Sequence, residues 1–247
     1  MNNIFNYDRD EIGNYFVSIG DKAYKKDQLF DWIYKKRIIS FSDITNMKKD
    51  IVDKLISDYN LFDIKIIKKE QGRDVIKYLF ELSDSEKIEA VLMFHDYGNS
   101  VCISTQVGCN MGCSFCESGR LKKRRDLLVY EMVLQILLIE SDINKRISHV
   151  VLMGIGEPFD NYDNVMKFIK IINDPKGLSI GARHITISTC GIVPKIDELS
   201  KLDIQVNLAI SLHASNDELR SKLMSINKIY NIESVIKSIK NYIDKTN

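Results

Sequence analysis

Val101-Cys102-Ile103-Ser104-Thr105-Gln106, continuing into Val107-Gly108-Cys109-Asn110-Met111-Gly112-Cys113-Ser114-Phe115-Cys116, is the stretch on which the fold turns. The first six residues read as a strand and the rest as a loop loaded with cysteine; a helix then follows from about 127 to 140. The same rhythm repeats downstream. His149–Met153 reads as a buried strand, followed by Gly154-Ile155-Gly156-Glu157-Pro158 and a helix over about 162–173. His184–Ser188 is a third strand, with a short helix from Pro194, and Val206–Leu212 a fourth, with helical segments after it. Alternating βα units predict a parallel sheet or barrel whose ligands sit at the carboxyl ends of the strands. The unusual residues of this chain fall at those ends. Four such units cannot close a barrel, and the last helix runs through Asn241–Asn247 without a clear ending, so a chain cut short is expected.

Upstream the pattern differs. Residues 1–60 read as a small helical unit. Leu29, Phe30, Ile33 and Tyr34 fall at helical spacing behind Asp27 as a cap, and Asn46 is placed to cap a second helix carrying Ile51, Leu55 and Ile56. Residues 61–98 read as a β-rich linker of antiparallel strands around Ile64–Ile67, Ile76–Phe80 and Ile88–Leu92, turned by Gln71-Gly72-Arg73-Asp74 and Ser83-Asp84-Ser85. Residues 99–247 are then the βα core.

Composition excludes some classes. The chain is 45% hydrophobic and 28% charged with a formal net charge of +1, ordinary for a globular protein and without the global basicity of a nucleic-acid binder. RNA contact would have to come from local patches, of which Lys122-Lys123-Arg124-Arg125 is the densest. No run approaches the ~18 apolar residues that span a bilayer, and Met1-Asn2-Asn3-Ile4 does not open a secretion leader. The cysteines number five, with three packed into eight residues, a spacing that suits metal or chemistry in a cytoplasmic protein better than a disulfide framework.

That cluster, C-x3-C-x2-C directly after a strand, lets Cys109, Cys113 and Cys116 each take one iron of a [4Fe–4S] cubane. The fourth iron then has no protein ligand, and S-adenosylmethionine (SAM) can chelate it. On spacing alone a zinc site with a remote histidine, drawn from His95, His149, His184 or His213, stays open.

With Phe115 before the third cysteine, the run resembles the radical SAM signature. Ser104-Thr105-Gln106-Val107-Gly108-Cys109, Met153-Gly154-Ile155-Gly156-Glu157-Pro158, Ala182–Thr189, Leu208-Ala209-Ile210-Ser211-Leu212-His213-Ala214 and Asp31-Trp32-Ile33-Tyr34-Lys35-Lys36-Arg37 resemble the RlmN/Cfr family of 23S rRNA adenine methyltransferases, in family order. The resemblance implies an α/β fold, a partial (βα) barrel of the radical SAM type with a small helical N-terminal domain and a short antiparallel β segment. It also implies a [4Fe–4S] cluster and SAM as cofactors, 23S rRNA and tRNA as partners, an electron donor such as flavodoxin, and a monomer. SAM contacts are implied at Gly156, Glu157, Ser188, Ser211, Leu212 and His213, with Glu157 accepting from the SAM ammonium. Cys102 matches a cysteine that resolves the RNA adduct, and Glu89 the proposed proton acceptor. Strand alternation sets Glu89 beside Lys87, opposite Ile88, Ala90 and Leu92, so a merely solvated acid is a rival reading.

The implied reaction puts a methyl-derived carbon on C2 of adenine 2503 of 23S rRNA, and on a tRNA adenine. C2 is electron-poor, which rules out polar methyl transfer and calls for a radical. The family's methyl-carrying cysteine near the C-terminus has no counterpart here. Cys190, the last cysteine, lies in the SAM segment and is given no role, so the chain as given is expected not to methylate RNA. Pro158 and the N-terminal segment resemble the C2 enzymes; C8 methylation and a non-catalytic RNA-binding fragment are the alternatives.

Overall fold

A computed structural model describes residues 2–246; Met1 and Asn247, at the ends of two stretches read above, lie outside the described residues. The N-terminal part opens on β1 (Asn2–Asn3), parallel to β2 (Tyr59–Asn60). Between them lie α1 (Arg9–Ser18), α2 (Lys25–Phe30) and α3 (Lys49–Asp58). Helix α1 starts at Asp8, whose carboxylate accepts from the N–H groups of Asp10 and Glu11 while Glu11 accepts from the Asp8 N–H at 2.8 Å, satisfying otherwise orphan donors. The two caps expected further on are corrected. Asp27 lies inside the first turn of α2 and takes Arg9 at 2.8 Å, and Asn46 accepts from the Trp32 indole N–H at 2.6 Å while α3 begins after Lys48 without a side-chain cap.

Strands β3 (Lys65–Gln71), β4 (Val75–Glu81), β5 (Lys87–His95) and β6 (Gly98–Cys102) form an antiparallel meander. The loop beyond carries β7 (Gln106–Val107), the short α4 (Glu117–Arg120) and β8 (Arg125–Asp126), with β7 and β8 paired. Then come α5 (Val129–Ile143), β9 (Ile147–Leu152), α6 (Tyr162–Asn173), β10 (Ile185–Thr189), α7 (Val193–Leu199), β11 (Asn207–Ile210), α8 (Asp217–Leu223) and α9 (Ile232–Thr246). One seven-stranded sheet runs in the order β11-β10-β9-β6-β5-β4-β3, with β6, β9, β10 and β11 mutually parallel. The parallel units expected from alternation are thus present in an α/β architecture, and the strands of residues 61–98 continue the same sheet.

The strand expected over Val101–Gln106 ends at Cys102. Ile103 and Thr105 still donate to Val151 and Ile155, but the Ser104 hydroxyl, donating to the Glu89 carbonyl at 2.6 Å, takes the place of the next rung toward β5. The register divides the sheet into two unlike faces. Ile88, Ala90, Leu92, Val101, Val150, Leu152, Ile185 and Ile187 point one way and share a continuous core with Met132, Val133 and Ile136 of α5 and Val165, Phe168 and Ile169 of α6. The opposite face is half-open.

The N-terminal helices are fastened to this core by charge as well as apolar contact. Asp8 and Glu11 of the α1 start take Lys170 and Lys167 of α6, each at 2.7 Å, Arg9 reaches Asp174 at 2.9 Å, and Arg37 pairs with the buried Glu140 of α5.

Candidate active site

The half-open face carries the residues singled out from sequence. Val91 lies opposite Cys102, which pairs in turn with Val151, and Val151 with Thr186. Side chains alternate along a strand, so Glu89, Cys102 and Ser188 share this side of the sheet. Ser211, just past β11, joins them through an Oγ–Oγ contact of 3.4 Å with Ser188. Glu89 is therefore on the accessible face, where the solvated and functional readings of it describe one location. Its carboxylate pairs with Lys77 of β4 at 2.7 Å. Cys102 is half-buried, and burial pushes its thiol up.

The three cysteines of the 109–116 loop lie at the carboxyl end of the sheet. Gly108 (φ +77°) starts the loop, and a Cβ there would stand 2.3 Å from the Lys122 carbonyl oxygen, so only glycine fits. Cys109 is buried and its N–H donates to Leu121 O at 2.9 Å. Cys113 and Cys116 are half-buried, with all three thiols free. Burial, followed by the charges of Cys109 and Cys116, pushes the Cys113 thiol up to about 11. The thiols thus feel one another, and a cationic group among them would relieve that repulsion. Among the described residues no three His, Cys, Asp or Glu side chains converge on a point that could hold one metal ion. Three free thiols on one loop suit a cubane, in which each thiolate takes a different iron. The zinc reading loses its histidines: at the opposite end of the strands His95 stacks on Tyr97, and His149 meets Tyr97 edge-on and stacks on His184. His213 alone approaches the loop, its ring 4.1 Å from that of Phe115, centroid to centroid.

Gly156 has φ +110°, and a Cβ there would stand 2.6 Å from the Gln106 Cβ. Glu157 is buried, not the exposed acid of an ordinary turn. Its carboxylate accepts from Phe159 N at 3.1 Å and Cys190 N at 2.8 Å. Burial raises its pKa against the hydrogen bonds of Thr189, Cys190 and Phe159. Leu212 is exposed, and His213, at φ +57°, follows in a left-handed turn.

Sequence reasoning missed several supports. Gln106 is wholly buried; its amide donates to Asp126 and Asp160 at 2.7 and 2.9 Å and accepts from the Glu157 N–H at 2.9 Å. Cys190, given no role, is buried with its thiol bonded to Glu157, and burial raises its pKa. Its adjacency to Ser188 and Thr189 was the available signal. The basic run is largely neutralised within the fold: Lys123 pairs with Asp126 and Asp160, Arg124 with Glu86, and Arg125 with Asp84 and Glu131. Lys122 alone of the four has no carboxylate partner among the described residues.

Comparison with known proteins agrees with this geometry. A family model described as the radical SAM superfamily matches residues 103–246, and one described as the ribosomal RNA large subunit methyltransferase N-terminal domain matches residues 2–60. The probable dual-specificity RNA methyltransferase RlmN of Spiroplasma citri is 52% identical over 100% of this chain and 73% of its own length. Its counterpart in Acholeplasma laidlawii is 51% identical over 99% and 72%. A crystal structure of a radical SAM methyltransferase from Sphaerobacter thermophilus superimposes with a TM-score of 0.93 at 35% identity, over 100% of this chain and 74% of that one.

Proposed function

Because the chain belongs to the RlmN family of dual-specificity RNA methyltransferases within the radical SAM superfamily, we propose that it supplies the cluster, SAM and adenine-facing part of an activity that methylates C2 of an adenine in 23S rRNA, and of a tRNA adenine, from the half-open face of its sheet, an activity that needs in addition a methyl-carrying cysteine these residues do not include. The family's cofactors are a [4Fe–4S] cluster and SAM. The cluster, when bound, supplies the electron that cleaves the sulfonium C–S bond of SAM. Cys109, Cys113 and Cys116 would hold it. Ser188, Ser211, Leu212 and His213 line the strand ends beside that loop and would orient the SAM molecule, with Gly156 admitting it against the backbone and Glu157 taking its ammonium. Glu89 and Cys102, on the same face, are placed to meet the adenine: Glu89 to accept a proton from the substituted ring carbon, and Cys102 to form a disulfide with the methyl-carrying cysteine, which these residues do not include, as the C–S bond to the adduct carbon breaks and its electron pair stays with the product.

One observation carries the reading. The strand register puts Glu89, Cys102 and Ser188 on a single accessible face, with the three-cysteine loop at its carboxyl end. The RNA is met by a local surface, since the net charge is only +1. No helix among the described residues is long and apolar enough to cross a membrane. A cytoplasmic monomer reduced by a flavodoxin-like donor completes the proposal.

The test is anaerobic reconstitution with iron and sulfide, followed by EPR of the reduced protein with and without SAM. A cubane signal that SAM shifts, and that Cys113→Ala abolishes, supports the assignment; a signal indifferent to SAM, or zinc in place of iron, overturns it. Nucleoside mass spectrometry of host RNA with the gene deleted then tests the product. Loss of 2-methyladenosine is expected, whereas loss of 8-methyladenosine would overturn the C2 assignment.

A further inference from the structure

Arg220 is the largest wholly buried side chain among the described residues. A buried arginine is ordinarily matched by a carboxylate, because an unpaired charge in the interior is expensive. Among the described residues none lies within the 4.0 Å of an ion pair. The guanidinium instead donates to neutral oxygens: Nε to Leu212 O at 3.2 Å, Nη1 to Asn227 Oδ1 at 2.7 Å and Tyr230 O at 3.2 Å, and Nη2 to Cys190 O at 2.7 Å.

Two of these carbonyls belong to the turns that leave β10 and β11. The first turn follows Ser188 and carries Cys190, whose N–H and thiol both engage Glu157. The second is Ser211-Leu212-His213. The helix bearing Arg220 also receives the cysteine loop. Ser114 N donates to Leu223 O at 2.9 Å, the Ser225 hydroxyl donates to Met111 O at 3.2 Å, and Met111 and Cys113 pack with Cys190, Met224 and Ile226 in a small separate core. One fork therefore ties both strand-end turns, themselves joined at their bases by the β10–β11 ladder, to the helix that receives the cysteine loop.

We propose that Arg220 is a positioning residue for the radical reaction: its planar fork fixes the strand-end turns against the helix that docks the cysteine loop, and its charge, offset only by Asp217 at one remove through Asn227, makes a cluster held there easier to reduce. This rests on the assignment of Cys109, Cys113 and Cys116 as cluster ligands and of Ser188 and Ser211–His213 as SAM contacts. Three features of the arginine serve the role. Its donors are divergent and coplanar, so it spans carbonyls on separate turns as an ammonium cannot. Its charge is permanent. Charge and hydrogen bonding around a cluster are what set its potential.

The experiment compares the wild type, Arg220→Lys, Arg220→Met and Cys113→Ala after anaerobic reconstitution. It reads iron and sulfide content, the reduction potential by EPR-monitored titration, SAM affinity by equilibrium dialysis, and folding by circular dichroism. Arg220→Met is expected to bind a cluster at a more negative potential and to bind SAM about tenfold or more weakly. Arg220→Lys is expected to keep the wild-type potential, since the charge stays, yet still to lose SAM affinity, since the fork is gone. That split separates positioning from general destabilisation. Arg220→Lys with wild-type SAM affinity overturns the inference, as does Arg220→Met with unchanged potential; should Arg220→Met fail to fold, Arg220→Lys decides alone. A wild type that takes up no iron, or a Cys113→Ala variant that takes up as much, overturns the site assignment and this inference with it.

Discussion

Gly156→Ala isolates what the site asks of its backbone. Two costs add. At φ +110° a residue with a Cβ sits in a region that costs about 1–3 kcal/mol. The new Cβ would also stand 2.6 Å from the Gln106 Cβ and 3.0 Å from its N. Gln106 is buried and held by Asp126 and Asp160, so it cannot swing aside, and overpacking of this kind adds about 1–3 kcal/mol. The sum is about 2–6 kcal/mol, or roughly 10 °C in Tm near its middle for a chain of this length. Two controls separate the terms. Gly20 has φ +81° with nothing within 4 Å of the place a Cβ would take, so Gly20→Ala should show the backbone cost alone. Gly181 has φ −58° and equally open space, so Gly181→Ala should be neutral or stabilising by up to about 1 kcal/mol. Urea unfolding of the three variants gives the ranking. Because Gln106 accepts the Glu157 N–H, Gly156→Ala should weaken SAM binding as well. A Gly156→Ala midpoint no lower than that of Gly20→Ala would refute the packing half of the reasoning.

The N-terminal fastening should depend on pH in one direction. Burial pushes the Asp8 carboxyl up, but the bond from Lys170 and the N–H groups at the start of α1 outweigh it and hold it below its ordinary 3.8. A depressed folded pKa contributes stability above the unfolded value that is lost as pH falls through the folded one. The stability gap between wild type and Asp8→Asn, followed by urea midpoints, should therefore be constant at neutral pH and close only below about pH 4. The basic run should divide by role. Arg125→Ala strands the buried Glu131 carboxylate and should cost about 3 kcal/mol in thermal or urea unfolding. Lys122→Ala should leave stability within about 0.5 kcal/mol but lower the salt slope of RNA binding, measured by filter retention, by about one.

The parallel strands were legible because each is a short apolar run bounded by glycine, proline or polar residues, and α6 because its apolar positions keep helical spacing over Tyr162–Asn173. The end of β6 was not legible. Ile103-Ser104-Thr105 stays extended and looks like strand, and what stops the ladder is one hydroxyl reaching a carbonyl from β5. The caps assigned to Asp27 and Asn46 failed for a related reason: both residue types suit a helix start, but Arg9 and Trp32, distant in sequence, claim their side chains. The role of Lys123, Arg124 and Arg125 was hidden in part the same way, since beside the nearby Asp126 and Glu131 their partners Asp160, Glu86 and Asp84 lie 37–41 residues off. Cysteine spacing announced the loop, whereas Arg220 sits in a stretch that reads as an ordinary charged helix.

The strand order has a consequence for synthesis on the ribosome. From β3 to β11 the large sheet grows at one edge only, each new strand joining the one that precedes it in the sheet's own chain sequence. No strand has to be wedged between two that are already paired. The meander β3–β6 closes by short local hairpins, which form early because little loop entropy is lost. Each later βα unit then emerges to meet a waiting edge. Vectorial assembly of this kind needs no rearrangement of earlier pairings, and it places the strands of Glu89 and Cys102 before the turns after β10 and β11 have left the exit tunnel.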